Sequence, residues 1–306
     1  MQSLFKIGMC VLAAMCVSCF AIETQSIGNP VGTNFPKDGE GRVYHLGLKK
    51  GEVANRILLV GDPDRAKLIV TMFDHPEDVF VYASNRGFTT YTGTKRGTPV
   101  TIMSIGMGLP MMDFAIREIR AITEGPLFII RLGSCGTPHD DIPIGTLVVA
   151  DKSFCITTNY AAYHQEERSD SVLDYFTLTP PIEPDLLLHQ TLVTVLKENC
   201  NGTFTVVEGT DATADSFYGS QGRLDDEFDD RNEGLIDTFM NKHPNTGSLQ
   251  METFHLFHLA KLNGDISAAG CAIVLAQRKS NAFLSNERKH QIEIKAGNAC
   301  LEALVR

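Results

Sequence analysis

The sequence has no excess of positive charge: 27 Lys and Arg stand against 37 Asp and Glu over 306 residues, a formal charge of −10. A nucleic-acid-coating surface needs a basic stripe that displaces counterions from the phosphates, so nucleic acid is not the expected partner. A small anion asks only for a few arginines that converge locally. Beyond residue 22 no apolar run approaches the roughly 20 residues of a membrane span. No repeat of fixed period and no Gly/Ser-rich or Pro-rich linker divides the body, which favours one domain. There is no Walker-type phosphate loop. Gly106-Met107-Gly108-Leu109-Pro110 starts like a dinucleotide fingerprint, but it lacks the third glycine and is interrupted by proline, which removes support for a Rossmann site. The body cysteines, Cys135, Cys155, Cys200, Cys271 and Cys300, are odd in number and irregularly spaced, so no disulfide framework is expected.

What is present is enough apolar residue, 43 %, to bury a real core. Lys6 precedes an uncharged apolar run over residues 7–22, which also holds Cys10, Cys16 and Cys19. Residues 1–22 read as a signal-like or dispensable leader, residues 23–41 as a loose N-terminal arm, and residues 42–306 as the working domain. The reduced-type cysteines argue for the cytoplasm; secretion or anchoring through residues 1–22 is the alternative. The sequon Asn201-Gly202-Thr203 would matter only in a secreted product.

Short apolar runs bounded by glycine or proline, at residues 57–60, 100–105, 127–132, 146–150, 204–207 and 268–276, read as buried strands. Helical patterns separate them at residues 64–73, 111–124, 184–198, 252–262 and 286–305. Alternation of this kind predicts a single α/β domain built on a mostly parallel sheet with helices on both faces. Residues 160–181 and 225–232 are polar and acidic, as surface excursions would be.

Four motifs could carry chemistry. Gly61-Asp62-Pro63-Asp64-Arg65 joins a strand to a helix start, where free N–H groups and Arg65 would attract an anion; it is also what an Asp-capped tight turn looks like. Arg131-Leu132-Gly133-Ser134-Cys135-Gly136 offers a guanidinium and a hydroxyl beside two glycines at a strand's carboxyl end, where open α/β sheets bind ligands. Gln250-Met251-Glu252 opens a helix; Glu252 could accept from sugar hydroxyls or simply suit the helix N-terminus. In Phe217-Tyr218-Gly219-Ser220-Gln221-Gly222-Arg223, the amide of Gln221 and the guanidinium of Arg223 can match an imide edge of alternating C=O and N–H, with Phe217 as a wall for the ring. An ordinary polar loop would share that composition. His255 and His258 lie three apart on a helix without a ligand cluster, and core or surface roles are expected of them.

Taken in order, these motifs resemble the nucleoside phosphorylase family, which includes uridine phosphorylases, purine nucleoside phosphorylases and methylthioadenosine-type nucleosidases. The likeness covers residues 44–304, and Tyr44-His45-Leu46-Gly47-Leu48 with the Gln221 and Arg223 pair is most similar to the uridine branch. The resemblance implies a partly barrel-like mixed sheet and phosphorolysis of uridine to uracil and ribose 1-phosphate, with deoxyuridine as a candidate second substrate. It implies that Gly61, Arg65, Arg131 and Ser134 hold phosphate, joined by Arg86 from a neighbouring subunit. His45 would likewise cross to the ribose 5′-hydroxyl, Met251 and Glu252 would bind ribose, and Phe217, Gln221, Arg223 and Arg278 would surround the base. Arg223, Gln221 and Arg131 are the expected catalytic residues. Phosphate is a co-substrate and no cofactor is implied; shared sites require at least a homodimer. Met111, Gly87 and Gln250 depart from the family pattern, and Gly87 replaces an acidic residue that helps hold an interfacial cation, so that metal is not carried over. The alternatives are a purine-directed or hydrolytic nucleosidase of the same family, and a nucleoside-binding protein without turnover.

Overall fold

A computed structural model describes residues 23–306; the expected leader lies outside the described residues. The run at residues 57–60 sits in β1, Arg56–Val60, whose side chains alternate between two cores as the strand period demands. Leu58 and Val60 pack on one side and Ile57 and Leu59 on the other, all fully buried. Asp62 then caps α1, Pro63–Val70, by accepting from the Asp64 N–H at 2.9 Å, with proline in the first turn where its missing N–H costs nothing.

A meander of β2, Phe80–Ala83, β3, Thr89–Lys95, and β4, Thr98–Ser104, forms the outer part of the sheet. After it come α2, Leu109–Arg120, β5, Leu127–Thr137, and β6, Leu147–Thr158. The polar excursion contains α3, Val172–Tyr175, and β7, Phe176–Leu178. Then follow α4, Leu186–Asn199, β8, Val206–Ala214, α5, Leu235–Lys242, β9, Thr246–Gln250, and α6, Thr253–Asn263. The chain closes with β10, Ile266–Gln277, β11, Ala282–Phe283, and α7, Asn286–Val305.

The eleven strands make one mixed sheet, and β5, β10, β6, β8 and β9 pair in a ring, since β9 returns to β5 through Gly136 and Leu249. Parallel pairing to β1 and β4 extends the ring into an open sheet, and the antiparallel meander ends it. Helices α1, α4 and α7 cover one face, α2 and α6 the other. A third cluster, around Phe154, Tyr175, Phe176 and Phe239, seats α3 and α5 against the barrel. The mixed, partly barrel-like α/β domain is the architecture expected from the sequence.

Two strands run further than their apolar runs. The run at residues 127–132 continues as β5 to Thr137, so the Arg131 motif lies within a strand and not in a loop after it. Here β10 pairs with β5 as far as Thr137, with a bulge between Val274 and Ala276. The run at residues 204–207 is only the entrance to β8, which extends to Ala214. Residues 23–41 lie against the body: Gln25 bridges to Ser84 and Lys37 to Val43, and Asp38 accepts from the backbone of Gly28, Glu40 and Arg42. Among the described residues no helix is long and apolar enough to cross a membrane.

Candidate active site

The carboxyl ends of β1 and β5 open into a cavity of about 550 Å³ whose wall includes residues from every one of the four motifs. Gly61 stands where β1 ends, and a Cβ there would come 3.0 Å from the Gly106 carbonyl oxygen, so the two loops meet closely only because the residue is glycine. Arg65, on the first turn of α1, is 4 % exposed. Its Nε donates to Glu293 Oε1 of α7 at 2.7 Å and its Nη1 to the Leu132 carbonyl at 3.2 Å.

Arg131 is 3 % exposed and pairs through Nη2 with the Glu252 carboxylate. Its Nε and Nη1 are buried and find no partner among the described residues. Buried N–H groups are nearly always satisfied, so two unpartnered donors in a cavity wall point to an acceptor delivered from outside. Gly133 makes room for that guanidinium, since a Cβ there would fall 1.9 Å from Arg131 Nη1. Ser134 lines the cavity beside it. Glu252 precedes α6, and its Oε1 accepts from the Gly108 N–H at 2.7 Å, tying the Gly106 to Gly108 loop to the middle of the cavity. Met251 lines the wall next to it.

Another part of the wall is built on a short 3-10 turn, Gly219–Gln221, closed by Gly222 at φ 60°. Gln221 is 2 % exposed and lines the cavity with Phe217 and Arg223. Arg223 Nε donates to the Phe217 carbonyl at 3.0 Å, and its guanidinium lies 3.9 Å from the centroid of the Phe217 ring. Burial pulls the Arg223 guanidinium below its ordinary range.

Nine of the expected residues therefore share one cavity: Gly61, Arg65, Arg131, Ser134, Phe217, Gln221, Arg223, Met251 and Glu252. Arg278, His45 and Arg86 are not in its wall. Arg278 lies behind the turn and donates to the carbonyls of Gln221 at 2.9 Å and Gly222 at 3.0 Å; burial, with the charge of Arg223 adding to it, pulls its guanidinium down to about 10. His45 Nδ1 lies 2.6 Å from Glu118 Oε1, and its ring stacks on Phe114. Arg86 donates to the Tyr44 hydroxyl at 2.7 Å and lies over the Tyr44 ring. Sequence reasoning missed Phe283 and Lys289, which line the cavity from the last strand and helix. Lys289 Nζ lies 3.5 Å from Asp62 and 3.6 Å from Glu293, and its only sequence signal is its four-residue spacing from Glu293.

A cavity whose wall combines buried cations, a carboxylate, and amide plus guanidinium donors is suited to transferring a sugar between two anionic groups. Residues 55–306 match the family model described as Phosphorylase superfamily, and the chain belongs to that family. It is 32 % identical over 255 residues to a uridine phosphorylase of Thermococcus kodakarensis, covering 83 % of this chain and 84 % of the relative. A solved structure from work on two uridine phosphorylases of the oomycete Phytophthora capsici superposes with a TM-score of 0.87 at 36 % identity, over 90 % of this chain and 99 % of that one. A nucleoside phosphorylase of Trypanosoma brucei, whose structure is described as showing uridine phosphorylase activity, shares the fold at a TM-score of 0.72 and 24 % identity, over 89 % and 99 % of the two chains.

Proposed function

We propose that this enzyme cleaves uridine with inorganic phosphate, giving uracil and ribose 1-phosphate. The observation that carries the reading is the single cavity whose wall combines Arg65, Arg131 and Glu252 with Gln221 and Arg223. The similarity to uridine phosphorylases over most of the chain supports the same reading.

Phosphate is already an anion at neutral pH, so the protein must place it rather than activate it. The free Nε and Nη1 of Arg131 and the helix N-terminus after Gly61 are the donors that would hold it. As the bond from C1′ to the base lengthens, the ribose gains positive character, and Glu252 is placed to accept from its hydroxyls. The departing uracil carries the bonding electrons as an anion spread over its imide, and Gln221 and Arg223 stabilise that charge as it forms. Phosphate is the second substrate, and the reaction as written needs no other group.

His45 and Arg86 fit this scheme as residues lent to a second copy of the chain, which makes the working unit at least a homodimer. Arg86 is exposed and held in place by Tyr44. The free state of all five body cysteines fits a reducing compartment such as the cytoplasm.

The test is to incubate the protein with uridine and with inosine, each with and without phosphate. Uracil release that depends on phosphate is the expected result. Release from uridine in water alone, or preference for inosine, would replace the reading with a hydrolytic or purine-directed one.

A further inference from the structure

The middle of β8 is polar in sequence, yet Thr210, Asp211 and Thr213 are at most 1 % exposed. Asp211 is wholly enclosed by the barrel and lies outside the cavity wall. A carboxylate in such a place is costly unless every lone pair is used. Four donors supply this: Ser153 Oγ at 2.6 Å and Thr213 Oγ1 at 2.7 Å to Oδ2, and Ser248 Oγ at 2.7 Å and Gln250 Nε2 at 2.8 Å to Oδ1. They come from β6, β8 and β9, three adjacent strands of the ring. Even so, burial pushes the Asp211 carboxyl above the ordinary carboxylate range.

Well-packed apolar side chains would hold a barrel together as well as this polar knot does. What they could not do is orient it. An ionised carboxylate only accepts, so all four donors must turn toward it. Two of them lead to the active-site wall. Thr213 spends its hydroxyl proton on Asp211, leaving a lone pair that accepts from the Phe254 N–H at 2.9 Å in the first turn of α6. Gln250 lines the cavity and turns Nε2 toward Asp211 and the Thr253 hydroxyl, which leaves Oε1 as a buried acceptor with no partner among the described residues. The segment carrying Met251 and Glu252 is thereby pinned on both sides.

On the basis of the phosphorolytic reading above, we propose that Asp211 is a positioning residue of the sugar subsite, setting through Gln250 and Thr213 how the segment from Gln250 to Glu252 meets the ribose. It touches no substrate. The sharpest test is Asp211→Asn, which keeps the shape but presents an N–H₂ where two donors converge. With the N–H₂ on the Oδ2 side the Ser153 and Thr213 hydroxyls must turn to accept from it, and with it on the Oδ1 side Gln250 must flip its amide, so either placement disturbs one of the two links to the segment. The Michaelis constant for uridine should then rise roughly tenfold while that for phosphate stays within about twofold. Inhibition by free uracil, which has no sugar, should match the wild type. Adding Gln250→Glu to Asp211→Asn restores an acceptor facing residue 211 and should recover most of the uridine affinity. A variant that melts earlier but keeps the wild-type constant for uridine would reduce Asp211 to a structural role, as would loss of uracil inhibition or failure of the double variant to recover. Wild-type protein in the same assay separates the two ideas, since absence of phosphate-dependent uracil release there would refute the phosphorolytic reading itself.

Discussion

Two parts of the cavity wall are built differently. At the proposed phosphate subsite, Arg65 and Arg131 rise from a helix and a strand, are 4 % and 3 % exposed, and are each joined to a buried carboxylate, Glu293 or Glu252. At the proposed base subsite, Phe217 is 44 % exposed and Arg223 follows a short turn, held by one carbonyl and the face of that ring. The carboxylates fix both buried guanidiniums in place, so this part of the wall is preorganised, and its ion pairs also join distant elements of the fold. The proposed base subsite draws its order from Arg278, which grips the turn by two carbonyls from behind. The difference teaches that a buried, ion-paired charge cannot be removed without consequence for stability, whereas a part-exposed one can.

The largest effect should follow Arg131→Ala, which removes a phosphate donor and strands Glu252. Loss of one such donor costs roughly 10²–10³ in turnover, and stranding a buried charge costs about 3–5 kcal/mol of stability. Assays with phosphate and a thermal melt would show both losses. Adding Glu252→Ala should return part of the stability and none of the activity. Equal melting temperatures for wild type and Arg131→Ala would break the comparison.

Arg223→Ala should come next, lowering turnover on uridine by about 2.7–4 kcal/mol of transition-state stabilisation while the melt changes little. Near-normal turnover would reject Arg223 as the residue that stabilises the leaving base.

The smallest effect belongs to Asp62, the cap of α1 beside Arg65. Burial pulls its carboxyl upward, but the Asp64 N–H and the charges of Arg65 and Lys289 outweigh this and leave it below its ordinary range. A lowered folded value means stability that is present above the unfolded value of roughly 3.9 and is lost as pH falls through the folded one. Asp62→Ala should therefore cost about 1 kcal/mol near neutral pH, and the gap between variant and wild-type melts should close in acid. A gap that widens in acid would contradict this cause.

The site was most legible where local chemistry punctuates the chain. Gly61 to Arg65 reads as strand, turn and capped helix start, and the structure forms it so. It was least legible where polar residues are buried. Thr210, Asp211 and Thr213 in β8 and Thr246, Ser248 and Gln250 in β9 spoil an apolar pattern, although none is more than 5 % exposed. Asp211 gathers Thr213, Ser248 and Gln250, while Thr210 turns to Asp151 and Thr246 to the His243 carbonyl, so the hydrophobic signal that normally marks a central strand is absent. Phe283 and Lys289 escaped for another reason: they reach the cavity from the end of the chain, and neither has a local motif.

By itself the sequence determined the alternation of strands and helices, the family, and the motifs from which nine cavity-lining residues come, because turns, caps and short motifs act over a few neighbouring positions. Only the tertiary structure decided which of those residues share a wall. It closed β9 onto β5, paired Arg131 with Glu252 across 121 positions and Arg65 with Glu293 across 228, and moved Arg278 behind the turn it supports. Those arrangements follow from packing distant strands and helices so that each buried charge meets its partner, which no local motif specifies.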